Sequence, residues 1–83
     1  MIKYVYASKN VKSGNFNVPI LENFNEEAAK EAYEISFKEA AANAKEQLKE
    51  LDIYYLGTFD TKTGLFMQVE PVFLVSGAAV LGD

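Results

Sequence analysis

From Asn25 to Glu50 the chain contains neither glycine nor proline, and alanine is frequent. Ala29, Tyr33, Phe37, Ala40, Ala44, Leu48 and Leu51 recur there at spacings of three and four. At about 100° per residue these positions share one stripe about 100° wide. Glu27, Glu31, Glu34, Lys38, Lys45 and Lys49 fall on the opposite side. Glu34 and Lys38 stand i,i+4 in the favourable order. Asn23 or Asn25 caps the start, and Glu26 and Glu27 sit in a first turn where the helix dipole favours anions. One long amphipathic helix is therefore the fixed point around which 83 residues must fold.

The segments on either side read as strands. Ile2 to Ala7 is rich in residues that suit a pleated surface. Ser13-Gly14-Asn15 signals a turn. Asn15 to Ile20 alternates, with Phe16, Val18 and Ile20 on one side and Asn15, Asn17 and Pro19 on the other. Pro19 donates no N–H, which suits an edge or a strand end. Beyond the helix, Leu51 to Phe59 is apolar on both faces, as a central strand is. Gly57 within it marks a bulge or a close backbone approach. Asp60 to Gly64 is a hairpin loop, in which Asp60 accepts from backbone N–H groups and Gly64 takes positive φ. Leu65 to Glu70 is a fourth strand, ended by Pro71. The order predicts a single α+β domain over residues 1–83: strand, strand, helix, strand, strand. The expected architecture is a four-stranded antiparallel sheet with one long helix packed on one face. The tail, 72–83, is open between a short strand, one helical turn and a loose end.

A length argument bears on assembly. A helix of about 26 residues is roughly 39 Å long, against roughly 23 Å for a seven-residue strand. Such a helix overhangs its sheet, crosses it diagonally, or breaks, with Asn43 as the break point. An overhang would offer Phe37, Ala40, Ala41 and Ala44 to a second copy of the chain. Ile35, alone on the polar side, is either a scattered surface residue or part of the same contact. A homo-oligomer is the expectation.

Composition limits the chemistry. The chain has no cysteine, histidine or tryptophan, and its eight basic residues are all lysine. No disulfide, thiolate site, imidazole ligand or activated serine is available. The glutamates at 26–27 and at 27, 31 and 34 read as a solvated helix face rather than an acid–base pair. The Asp60 loop offers one carboxylate, too few for calcium. We expect no catalytic residues, no metal site and no cofactor, and binding rather than catalysis. The start carries no leader pattern, and the most apolar run, Val72 to Leu81, is too short to span a bilayer. No membrane association is expected.

Aromatic residues are the one chemical feature that points to a ligand. Tyr4, Tyr6, Tyr54, Tyr55, Phe59 and Phe66 all fall on proposed strands. A sheet with exposed rings can stack nucleic-acid bases. Lys3, Lys9 and Lys12 lie near the first hairpin and add local positive charge. The candidate nucleic-acid-binding set is Lys3, Tyr4, Tyr6, Lys9, Lys12 and Tyr54. The competing reading is that the rings fill the core or meet another protein. The net charge of −4 and the lack of arginine favour that second reading.

Asp52-Ile53-Tyr54-Tyr55-Leu56-Gly57-Thr58-Phe59-Asp60, then Thr63-Gly64 and Pro71, is similar to the late segment of a known family. Lys3-Tyr4-Val5-Tyr6, Phe16 with Pro19, and the Ala/Phe helix extend the likeness over most of the chain. The family is the small non-structural protein of gokushovirus-type microviruses, phages with circular single-stranded DNA genomes. The resemblance implies an accessory protein made in the cytoplasm of the infected host cell and absent from the capsid. It implies a role in genome replication or single-stranded DNA production, through DNA or through a replication protein. It carries over no catalytic residue. The alternative is an acidic interaction module that binds a host or phage factor without touching DNA.

Overall fold

The helix forms where the apolar stripe places it. In a computed structural model, which describes residues 1–82, it is α1 (Glu26–Leu48). Asn25 is its N-cap, and the Asn25 Oδ1 accepts from the Ala28 N–H at 3.1 Å. Asn25→Ala should cost about 1 kcal/mol, a fall of about 4–8 °C in Tm for a domain this small, read by thermal denaturation. An unchanged Tm would mean that the helix start is held by packing alone. The helix is broken at Ala44 (φ −145°, ψ 29°), one residue beyond the expected point.

Before α1 come β1 (Ile2–Asn10) and β2 (Ile20–Glu22); after it come β3 (Leu51–Asp60), β4 (Phe66–Ser76) and a short α2 (Gly77–Leu81). The sheet order is β2-β1-β3-β4, and every neighbouring pair is antiparallel. This is the predicted four-stranded α+β architecture, with β3 at an interior position in the sheet as expected.

The first strand runs on to Asn10 rather than stopping at Ala7, and larger differences from the sequence reading lie further along the chain. The second strand is Ile20–Glu22 rather than Asn15–Ile20, and Phe16 makes only an isolated bridge to Lys9. Pairing there is limited to that one bridge, whose backbone bonds run from Asn17 N to the Ser8 carbonyl and from Asn10 N to the Asn15 carbonyl, at 2.8 and 2.9 Å, and Pro19 has no N–H with which to extend it. The fourth strand runs through Pro71 to Ser76. Proline is tolerated because β4 is an edge strand, and Val69, Glu70 and Pro71 lie in a break of register where no ladder bond is needed. The tail is therefore ordered: residues 72–76 finish β4, and Ser76 caps α2 by accepting from the Ala79 N–H. Asp83, the last residue of that tail, lies outside the described residues.

The two hairpin loops share one construction. Asn10 Oδ1 accepts from Lys12 N and Ser13 N, and Gly14 N donates to the Asn10 carbonyl. Asp60 Oδ1 accepts from Lys62 N, and Gly64 N donates to the Asp60 carbonyl. Each is an Asx turn closed by glycine at positive φ (76° and 75°).

Directly opposed residues share a face of a sheet. Ser8–Ile53–Val75 and Tyr6–Tyr55–Val72 are cross-strand rows on the helix side. Their side chains meet Ala29 and Phe37 of α1 in the core, with Phe24, Tyr33, Leu48, Val80 and Leu81 packed around it. The opposite face carries no helix; Val5 and Ala7 on it are buried, and Phe66 and Phe73 are exposed. Its rows are Lys9–Asp52–Ser76, Ala7–Tyr54–Phe73, Val5–Gly57–Gln68 and Lys3–Phe59–Phe66. The bulge at Leu56 sets this division. Register shifts between Tyr55 and Gly57, so Phe59 lands on the open face instead of the helix side.

Candidate functional site

Ala7, Tyr54 and Phe73 form one row across three strands, and Ala7 is too small to fill its place. Phe16, brought over by its bridge to Lys9, stands beside Tyr54. Its ring meets Tyr54 edge-on at 5.3 Å between centroids, and Tyr54 meets Phe73 edge-on at 5.8 Å. Such pairs are a favoured aromatic geometry. Lys9 sits beside them, its Nζ 5.4 Å from the Phe16 centroid and 5.8 Å from that of Tyr54. At this spacing the ammonium is attracted by the ring faces and stays at the surface. Phe16 is 42% exposed and Phe73 53%. The result is a line of three accessible rings with a cation beside it, running across the strands.

A smaller cluster stands at the other end of the open face. Phe59 and Phe66 meet at 5.1 Å, opposite Lys3. Lys3 Nζ donates to Asn23 Oδ1.

The six residues proposed for nucleic-acid binding thus separate. Lys9 and Tyr54 come together at the centre of the aromatic line. Lys3 shares their face at the far end. Lys12 lies in the first hairpin loop, 3.3 Å from a Glu50 carboxylate oxygen. Tyr4 is half-buried on the helix side, packed against the core. Tyr6 corrects the sequence reading: it is fully buried, enclosed by the rings of Phe24, Tyr33 and Tyr55, and its hydroxyl donates to the Phe24 carbonyl at 2.9 Å. No base can reach it. Phe16 and Phe73 were not in the set. Phe16 showed in the sequence only as an alternating strand residue. Phe73 was hidden by reading Pro71 as a terminator, although Val72 to Val75 has strong strand character.

The residues proposed for self-association also separate. Ile35 is 49% exposed on the outer side of α1. Phe37 is a correction: it points into the core at 5% exposure and offers nothing to a partner. Ala41 and Ala44 are half-buried. The overhang that motivated them is not required, because β4 runs 11 residues and α1 runs 23. Those lengths are about 36 Å and about 35 Å.

Three tyrosine hydroxyls are held above their usual pKa. Burial first, and neighbouring phenols and Glu26 second, hold the Tyr6 hydroxyl well above its usual pKa. Burial and the Glu22 carboxylate do the same for Tyr33, and burial with Glu26 raises Tyr55. All three stay neutral and serve packing. Among the described residues, no three carboxylates gather closely enough to hold one metal ion. No described helix is long and apolar enough to cross a membrane.

A family model described as phage ORF5 protein matches residues 3–80. No curated protein and no solved structure matches the chain.

Proposed function

The chain belongs to the phage ORF5 protein family, and on that basis we propose that it is a non-catalytic accessory protein of phage genome replication that binds single-stranded DNA on its open sheet face. It would act in the cytoplasm of the infected cell, where the single strand is made. The observation that carries this reading is the line Phe16–Tyr54–Phe73 with Lys9 beside it. Rings on an uncovered sheet stack bases without reading their sequence, and a lysine beside them meets the phosphate. The acidic net charge is less adverse than it looks. Glu26, Glu27, Glu31, Glu34, Glu39 and Glu46 all belong to α1, which packs on the other face of the sheet.

The test is fluorescence anisotropy with labelled oligo-dT at about 50 mM salt, where lysine–phosphate attraction is strong. Tyr54→Ala should weaken binding about tenfold or more. Lys9→Gln should lower the salt slope by about 0.7. Tyr54 is only half-buried, so circular dichroism should show both variants folded. A wild-type chain that binds no oligonucleotide, or variants that bind as it does, would sink the reading.

One observation favours a second reading, a protein-interaction module. Phe66, Met67, Val69, Val72 and Phe73 are each 40–67% exposed, five apolar side chains along one edge strand, β4. Its edge is blunted by Pro71 and the register break, so a partner would meet side chains rather than extend the sheet. A mass that rises with concentration in light scattering, with no oligonucleotide binding, would favour it.

A further inference from the structure

Phe73 belongs to two features at once. It ends the aromatic line, and it lines a groove of about 410 Å³ between α1 and the β4 edge, together with Lys30, Glu34, Lys38, Ser76 and Val80. Lys30 and Lys38 are two helical turns apart on one side of α1, roughly 12 Å along its axis. Among the described residues neither ammonium is held in an ion pair. Glu34 lies between them, which leaves the groove with a surplus of one positive charge on an otherwise acidic helix.

We infer that this groove carries the continuation of the single strand whose bases stack on the open face. The strand passes over the β4 edge at Phe73 and lays its phosphates along Lys30 and Lys38. The inference rests on the proposed DNA reading of the open face and adds its direction and length. Charge decides the direction. At the other end of the line the loop around Phe16 leads to Val18, Pro19 and Ile20, with no cation, and Lys12 is engaged by Glu50. At the Phe73 end two unengaged lysines follow directly. A short oligonucleotide would occupy the rings alone, and a longer one would fill both features.

The test compares the full-length chain with Lys30→Gln/Lys38→Gln, using oligo-dT of about four and about twelve nucleotides. The short probe should bind both proteins alike. The long probe should bind the wild type more tightly, and the double variant should lose that advantage. For the long probe its salt slope should fall by about 1.4, two lysine–phosphate contacts at about 0.7 each. Lys45→Gln/Lys62→Gln makes the same change in net charge away from the groove and should leave the slope unchanged. Equal slopes for wild type and groove variant would overturn the inference, as would an equal loss in the control. Either result, with short-probe binding intact, leaves the open-face reading standing. Failure of the wild type to bind either probe overturns both.

Discussion

Tyr6→Ala is expected to remove a large share of the protein's stability, about 3–5 kcal/mol. The side chain is 0% exposed, and its ring lies 5.5–5.7 Å from those of Phe24, Tyr33 and Tyr55. It therefore joins β1, β3, α1 and the entry to the helix at one point. Removing a buried ring costs about 3–5 kcal/mol, because the neighbours relax only in part. A chain of this length has roughly 4–12 kcal/mol of stability in all. Tyr6→Phe separates the ring from the hydroxyl. It keeps the packing but leaves the Phe24 carbonyl without its donor, at about 1–2 kcal/mol. Urea denaturation followed by circular dichroism measures both. If Tyr6→Ala loses no more than Tyr6→Phe, the four-ring cluster does not hold the fold.

Gly57→Ala should be nearly as damaging, for a backbone reason. Gly57 has φ +141°, a region that side-chain-bearing residues rarely adopt. A Cβ there would fall on the Met67 carbonyl oxygen of β4, with Gln68 Cα at 3.1 Å. The obstruction is backbone of the neighbouring strand, so no rotamer change relieves it. Strain of about 1–3 kcal/mol adds to the displacement of β4, and a loss of about 3 kcal/mol or more is expected. Gly64→Ala is the comparison. It has φ +75° but open space around the added atom, so it should cost about 1 kcal/mol from strain alone. Equal losses in the two variants, measured by thermal denaturation, would show that β3 and β4 do not approach as closely as described. Because Gly57 lies in the register shift that turns Phe59 toward the open face, a folded Gly57→Ala variant should also show altered aromatic exposure.

Much of this architecture was legible in the residues. The stripe Ala29–Tyr33–Phe37 named the buried face of α1, and Asn25 named its start. Asp60 and Gly64 built the turn expected of them, and Gly57 stands next to the Leu56 bulge and makes the close approach, to Met67 of β4. The misreadings share a cause. Phe16, Val18 and Ile20 alternate like a strand, yet the Lys9–Phe16 bridge does not extend past Pro19, which offers no donor, and pairing resumes only at Ile20. Pro71 stops a central strand but not an edge strand, and nothing in the residues says which one β4 is. The site was half visible. Lys9 and Tyr54 were named, but Phe16 and Phe73 complete the line only through pairing across the sheet.

By itself the sequence determined the element order, the helix face and the chemistry on offer, since these depend on local periodicity, capping and composition. Only the tertiary structure decided which rings are sealed and which are open. A strand's side chains alternate, so a bulge at Leu56 or a break at Val69–Pro71 reverses every face beyond it. Those reversals arise from the fit of one strand against another, which no single segment encodes.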